Sequence, residues 1–221
     1  ASEYVFADFK AYAPSNGDPA AFAIQAVMSK GKKIGYVAYQ QPLEKTNAIL
    51  ANRVGMGASG ESYLVGQDKL MRSDSFLNAK DYSVKSSFLA GNTVDTKAVA
   101  EALNATVGTD IMMDYNNNLV VSSWDHIEVS NGVRWGLISS VDVSEALNPL
   151  LSNQDEFYAS YIKKYGYYDL FLIGANGHIF YTVTHEADFN TNILDGVYSS
   201  SNLGDLIKQV KVSGKYGLVD F

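Results

Sequence analysis

The chain contains no cysteine, and its 221 residues include only three histidines, two tryptophans and four prolines. The absence of cysteine excludes disulfide bonds, thiol catalysis and thiolate metal sites, but it leaves the cellular compartment open. No apolar run reaches the length of a membrane-spanning helix, and no signal peptide precedes Ala1. We therefore expect a soluble protein or a soluble piece of a larger one.

Positive charge is also scarce, since the net charge is −7 and no basic patch stands out. Nucleic acid is therefore excluded as an expected partner. A nucleophile–base set is missing as well: no Gly-x-Ser-x-Gly elbow occurs, and His126, His178 and His185 lack metal-site spacing. The Gly-x-Gly-x-x-Gly string over 55–60 lacks the strand-then-helix context of a dinucleotide site and predicts a hinge. We expect no enzyme, no cofactor and no metal.

What the chain does have is 47% apolar residues, enough for a sizeable core, and 15 tyrosines that suit strands and half-wet pockets. Alternating apolar residues and turn signals predict an α+β fold. Strands are predicted over 3–13, 20–28, 34–41, twice within 60–75, then over 109–115, 119–129, 133–141, 168–173, 178–183 and 214–221. Helices are predicted after Pro42, over 95–103 with Asp95 as N-cap, from 144, over 154–165 with a Ser152–Asp155 capping box, and over 203–210. Residues 81–88 are predicted to be extended.

The strand pattern repeats within the chain. The hairpin over 62–74 resembles the one over 169–183, and strands 22–41 with their helix resemble strands 119–141 with theirs. Two modules of similar plan are predicted, each a central antiparallel sheet flanked by helices. The two ends also repeat, because residues 3–9 and 215–221 share Tyr-x-x-x-Asp-Phe in register.

Residues 60–75, with the sequence GESYLVGQDKLMRSDS, carry the most specific motif. This run resembles the signature of double-Cache (PAS-like) sensor domains in bacterial methyl-accepting chemotaxis receptors. Further matching runs are DFKAYAPSN from Asp8, PAAF from Pro19, WGLISSVD from Trp135, YGYYDLFLI from Tyr165, HIFYTV from His178 and EADFNTN from Glu186. The resemblance implies two PAS-like Cache modules and a long helix. Within the motif, Arg72 either binds an anion or forms a local pair with an aspartate.

The order of these runs departs from the family. The segments that resemble one distal module lie at both ends of the chain, over 1–54 and 150–221, and the proximal-type module lies between them, over 55–149. The order is that of a circular permutation. A natural permutation, an engineered one and a cut from a tandem array all fit the repeated ends.

The resemblance places the ligand pocket in the split distal module. The candidate ligand-binding residues there are Tyr12, Phe22, Gln25, Tyr39, Tyr181, Asp188 and Tyr198. Aromatic rings would wall the ligand, and Gln25 and Asp188 would orient its polar groups, with Asp188 suited to an ammonium group. Strand alternation puts Phe22 and Gln25 on opposite faces, so we expect at most one of these two in the pocket.

We therefore expect a non-enzymatic, extracytoplasmic (periplasmic or extracellular) sensing domain from a membrane-anchored parent protein. Its ligand would be an amino acid, an amine or a carboxylate. The alternative is a secreted structural or assembly protein of Cache-like modules, a homo-oligomer that associates by exchange of its terminal strands. A strictly monomeric chain at high concentration would favour the first hypothesis.

Overall fold

The computed structural model describes residues 4–130, 132–152 and 155–219. The chain divides into two compact units. Unit 1 comprises Ala1–Asn116 and Val120–Val141, and unit 2 comprises Asn117–Leu119 and Asp142–Phe221. Both combine helices with antiparallel strands, which confirms the α+β prediction. The assignment of 1–54 and 150–221 to one module stays a prediction.

Unit 1 begins with a three-stranded antiparallel sheet in the order β1-β2-β3. Its strands are β1 (Val5–Ala11), β2 (Pro19–Ser29) and β3 (Lys32–Gln40), followed by helix α1 (Leu43–Leu50). A tight turn joins β2 to β3, where Lys30 and Gly31 both have positive φ, 48° and 76°. This backbone matches the twist of a hairpin, and glycine adopts it without strain.

A second sheet in unit 1 has four strands in the order β4-β7-β6-β5. They are β4 (Glu61–Val65), β5 (Gly108–Met113), β6 (Leu119–Ser130) and β7 (Val133–Asp142). Strands β4 and β7 pair from Glu61↔Ser140 to Val65↔Gly136. Helices α2 (Ala79–Tyr82), α3 (Val84–Ala90) and α4 (Lys97–Leu103) complete the unit. The apolar core buries residues of both sheets and the helices, among them Phe6, Phe9, Tyr63, Val65, Met71, Val84, Val99, Trp135 and Ile138.

Unit 2 is built around a two-stranded hairpin of β8 (Phe171–Ile173) and β9 (Ile179–Thr182). Helices α5 (Val143–Leu147) and α6 (Phe157–Tyr165) precede it, and α7 (Asn202–Ser213) follows it. Its buried residues include Ile162, Ile179, Tyr181 and Ile193. Between β9 and α7 the chain runs through turns.

Three predictions about helices were wrong. Residues 81–88 are helical, because Asn78 caps α2 and Ser83 forms a capping box with Ser86 at the start of α3. Helix α4 is capped by Thr96 through its side chain, so Asp95 is not the N-cap. Helix α6 begins at Phe157 with no side-chain cap, so the predicted Ser152–Asp155 capping box is absent.

Two predicted strands are also different. Within 60–75 only β4 forms, and the second strand reduces to one bridge between Val65 and Met71. Residues 214–219 form no strand, because no strand edge pairs with them in the described structure. The remainder of that prediction, 220–221, lies outside the described residues.

The helices of the described residues are short. The longest is α7 with 12 residues, so the long helix that the resemblance implies is not among them. Over the same residues, no helix combines the length and apolar character needed to cross a bilayer.

Candidate functional site

A cleft of about 470 Å³ opens in unit 2 beside the start of α7. Its size falls within the usual range for small-molecule sites. Strand β8, the turn after β9 and the first turns of α7 form its walls. The lining residues are Phe171, Glu186, Ala187, Asp188, Ile193, Tyr198, Ser201, Asn202, Leu203, Leu206 and Val219. The cleft is therefore mainly apolar, with polar groups from the turn after β9 and from the start of α7.

Asp188 is the polar group whose state is unusual. Its Oδ1 atom is buried and has no hydrogen-bond partner. The main chain at this position is fixed, because the Thr191 hydroxyl donates to the Asp188 carbonyl oxygen at 2.7 Å. A buried carboxylate oxygen without a donor costs free energy, so a hydrogen-bond donor at this oxygen would be stabilising.

The first turn of α7 forms the opposite wall. Ser201 caps the helix and accepts a hydrogen bond from the Gly204 amide at 3.2 Å. Gly204 lets the turn approach closely, since a Cβ there would lie 2.5 Å from the Ser199 carbonyl oxygen. The helix start carries partial positive charge, while Asp188 carries negative charge. The cleft thus offers complementary charge to both an ammonium and a carboxylate.

Two of the seven predicted site residues, Asp188 and Tyr198, line this cleft together. Tyr181 does not line it. Its hydroxyl donates to Glu156 and accepts from the Asn148 amide, both at 3.0 Å. Burial and then the bond to Glu156 raise the pKa of Tyr181 above its ordinary value of 10.0. Tyr181 is held neutral inside this side-chain cluster.

The other four predicted residues lie in unit 1. The rings of Tyr12 and Phe22 contact each other edge to face, 5.0 Å between centroids. Gln25 is exposed on β2, and Tyr39 is 70% exposed on β3. Phe22 and Gln25 are three positions apart along β2, so their side chains face opposite sides, as expected. That the seven residues form one site stays a prediction.

Sequence reasoning missed the apolar walls and the cap of the cleft. Phe171, Ile193 and Leu206 carry no signal that separates them from ordinary core residues. Ser201 did have a detectable signal, because a serine just before a predicted helix is a typical N-cap.

Arg72, the candidate anion-binding residue of the conspicuous motif, is already paired inside unit 1. Its side chain is 2% exposed, and its Nε and Nη2 atoms donate to the two oxygens of Asp8 at 2.9 and 2.8 Å. Nη2 also donates to Asp68 at 2.9 Å, and Nη1 donates to the Leu70 carbonyl. Burial lowers the pKa of Arg72, but its hydrogen bonds to Asp8 and Asp68 outweigh this and raise it. The aspartate-pair interpretation is confirmed, with partners other than Asp74.

The space for this ion pair comes from Gly66. A Cβ at that position would lie 2.2 Å from the Arg72 guanidinium carbon, so any side chain would displace the arginine. The same guanidinium lies 5.2 Å from the ring centroid of Phe88. The motif is therefore a structural element of unit 1.

A second buried polar cluster in unit 1 joins Glu61, Ser75 and Tyr115. The Tyr115 hydroxyl donates to Glu61 Oε1, and Ser75 donates to Glu61 Oε2 at 2.9 Å. The backbone amides of Phe76 and Leu77 also donate to Glu61 Oε2. Burial, followed by the negative charge of Glu61, raises the pKa of Tyr115. These bonds hold the segment after the motif against the four-stranded sheet.

Metal ligation has no support in the described ranges 4–130, 132–152 and 155–219. They contain no group of three or more His, Cys, Asp or Glu side chains that could hold an ion.

Neither models of protein families nor curated proteins match the sequence. Among solved structures, the chain is similar to the periplasmic sensory domain of the Campylobacter jejuni chemoreceptor Tlp1. The sequences are 11% identical, the match covers 69% of this chain and 53% of that one, and the TM-score is 0.51.

Weaker matches include two further chemoreceptor domains. The ligand-binding domain of Pseudomonas aeruginosa PctB, in complex with L-Gln, is 18% identical, with 74% and 59% coverage and a TM-score of 0.44. That of Pseudomonas fluorescens CtaA, in complex with L-alanine, is 18% identical, with 66% and 58% coverage and a TM-score of 0.42. The chain thus spans little more than half of the structures it matches. On the strength of the Tlp1 match, the chain has the PAS-like α+β fold of a chemoreceptor sensory domain, as its resemblance to Cache domains predicted.

Proposed function

We propose that this chain senses a small organic ammonium compound, an amine or an amino acid, in the cleft beside α7. The observation that carries the proposal is the buried, unpartnered Oδ1 of Asp188 at the wall of that cleft. An ammonium group would donate to this oxygen and neutralise the carboxylate, which removes the cost of its burial. A purely anionic ligand would meet the same carboxylate with repulsion.

The remaining walls favour an amino acid over a simple amine. Phe171, Ile193 and Leu206 would take the hydrocarbon part of the ligand. The positive end of α7 would take a carboxylate, as helix N-termini do. A ligand with both groups would bridge Asp188 and the first turn of α7, and so restrain α7 against the hairpin.

This restraint suggests how binding becomes a signal. If α7 samples more than one position in the free protein, a ligand that prefers one position shifts the population. The proposed role needs no chemical step, in keeping with the sensory-domain fold. We place the domain outside the cytoplasm, in a parent protein anchored in the membrane.

We extend the proposal to the other predicted residues, with Tyr12 or Phe22 and Tyr39 as aromatic contacts of the ligand and Gln25 or Tyr181 as contacts of its polar groups. Substitution of Tyr39 by alanine tests this extension, since a 70% exposed side chain contributes little to folding. A changed ligand affinity supports the extension, and an unchanged affinity contradicts it.

A thermal-shift screen tests the function itself. We expect amines or amino acids to raise the melting temperature of the wild type and carboxylates alone to leave it unchanged. At a ligand concentration of 100 times Kd, the stabilisation is about 2.7 kcal/mol. The variant Asp188→Asn should lose at least tenfold in affinity.

The matched control is Asp195→Asn, which removes the same charge from an exposed position of unit 2 outside the cleft. It should keep the wild-type affinity. An equal loss in both variants would indicate a general charge effect, and no stabilisation by any amine or amino acid would overturn the proposal.

A further inference from the structure

Strand β1 is held on unit 1 by three residues that contact parts of the chain far away in sequence. The Tyr4 hydroxyl donates to the Val129 carbonyl at 3.1 Å. Asp8 accepts both hydrogen bonds from Arg72 and a third from Trp135 Nε1 at 3.0 Å. The ring of Phe9 is 3% exposed and lies 6.2 Å from that of Trp135.

The C-terminal segment repeats these three residues at the same spacing. In residues 215–221, Tyr216, Asp220 and Phe221 correspond to Tyr4, Asp8 and Phe9. The inward position is also kept apolar, because Leu218 corresponds to Phe6, which is 7% exposed. The segment thus carries the tyrosine, the carboxylate and the two apolar side chains that the β1 position binds.

In the described part of this segment, 215–219, two of the matching side chains are uncovered. Tyr216 is 96% exposed and Leu218 is 95% exposed, and neither belongs to a strand. Side chains suited to a buried position are therefore free to bind elsewhere.

We propose that residues 215–221 of one chain occupy the β1 position on β2 of a second copy, giving a head-to-tail assembly by strand exchange. Arg72 and Trp135 of the receiving copy would bind Asp220, and the aligned register would place Gly217 opposite Ile24, where Val5 lies in β1. Such an exchange replaces contacts by equivalent ones, so its cost is low. This inference concerns assembly and does not depend on the ligand proposed above.

The exchanging segment competes with β1 for the same position, and this competition sets the chain concentration at which exchange occurs. The resident strand belongs to the same chain and has an effective concentration in the millimolar range. It also pairs further along β2, through Lys10↔Ala20 and Ala11↔Pro19. We therefore expect exchange at about 0.1–1 mM chain, where the second copy competes with the resident strand.

Pairs of introduced cysteines identify which segment occupies the β1 position. The chain has no cysteine of its own, so any disulfide must join the introduced residues. In Gly217→Cys/Ile24→Cys, oxidation at about 1 mM should yield disulfide-linked dimers and longer species on a non-reducing gel. Glycine 217 can take the side chain, because the atom nearest its Cβ is the flexible end of Leu206. The control Val5→Cys/Ile24→Cys should give mainly monomer, with the resident strand bound. A disulfide confined to monomers of the first variant would show that the segment occupies its own chain, which overturns the proposal.

Sedimentation equilibrium provides the second measurement on the full chain. The wild type should show reversible, concentration-dependent association, and Asp220→Asn should weaken it at least tenfold. Asp195→Asn, with the same charge change, should associate as the wild type does. A strictly monomeric wild type, or association that Asp220→Asn leaves unchanged, overturns the proposal.

Discussion

At the scale of single residues, the buried charged residues Arg72 and Glu61 of unit 1 form hydrogen-bond clusters, whereas the partly buried Asp188 of unit 2 has one oxygen without a partner. Arg72 donates several hydrogen bonds and Glu61 accepts several, all with partners inside the protein. Asp188 differs, because one of its oxygens is buried without a partner. This contrast, and not residue type, distinguishes a candidate site from a structural cluster.

Removal of Asp8 should destabilise unit 1 severely. In Asp8→Ala, Arg72 keeps its charge at a 2% exposed position and loses its bidentate partner, so we expect a loss of about 3–5 kcal/mol. Urea denaturation measures it. The control Asp18→Ala breaks the exposed pair with Lys85 and should cost less than about 1 kcal/mol. Similar losses in both variants would contradict the structural role given to the Arg72 pair.

The buried tyrosines predict a loss of stability at alkaline pH. Tyr63 and Tyr115 have pKa values raised by burial above the ordinary 10.0. Above about pH 10 the unfolded chain releases these protons first, so the free energy of unfolding falls as pH rises. Each tyrosine contributes a slope of up to about 1.4 kcal/mol per pH unit.

Denaturation at pH 9, 10 and 11 checks this slope. Tyr115→Phe should reduce it, while Tyr216→Phe, at a 96% exposed position, should leave it unchanged. If the free energy of unfolding falls equally steeply with pH in the wild type and in Tyr115→Phe, the pH dependence does not come from Tyr115.

At the scale of elements, one residue of helix α7 both stabilises the helix and lines the candidate site. Its cap residue Ser201 lines the cleft, and its hydroxyl satisfies the Gly204 amide. We expect Ser201→Ala to cost about 1 kcal/mol at the helix start, because one amide loses its acceptor. Hydrogen exchange of the first α7 amides should then accelerate about fivefold.

Ser213 provides the control at the other end of the same helix. Its hydroxyl contacts the Val210 carbonyl at 3.5 Å and accepts from the Lys215 amide at 3.3 Å, both in exposed positions at the end of the helix. Ser213→Ala should leave exchange at the helix start unchanged. Faster amide exchange at the helix start in both variants, or in neither, would contradict the capping role of Ser201.

The elements also indicate how far the sequence could predict the fold. Strands β2, β3, β6 and β7 were predicted within two residues, because their alternating patterns are long and end at turn signals such as Lys30-Gly31. The wrong predictions lie in short segments decided by single hydrogen bonds, such as the Ser83–Ser86 box that makes 84–90 helical. The unpartnered Oδ1 atom of Asp188 depends on long-range burial, which residue type alone does not encode.

At the scale of the whole molecule, one part of the internal duplication predicted from sequence has a counterpart in the order of elements, whereas the predicted hairpin over 62–74 is reduced to β4 and one bridge. Strands β2 and β3 with α1 correspond to β6 and β7 with α5. In the four-stranded sheet, β4 pairs with β7. The corresponding outer edge of β3 has no partner among the described strands. The split module of 1–54 and 150–221 stays a proposal.

Val219 belongs to both proposed activities. It lines the cleft beside α7, and it lies within the segment that would exchange between copies. Withdrawal of this segment opens one wall of the cleft, so a ligand held by that wall binds the unexchanged chain more tightly. By reciprocity, the ligand must then weaken assembly by the same factor by which assembly weakens ligand binding. A chain of this kind would report ligand concentration through its own state of association.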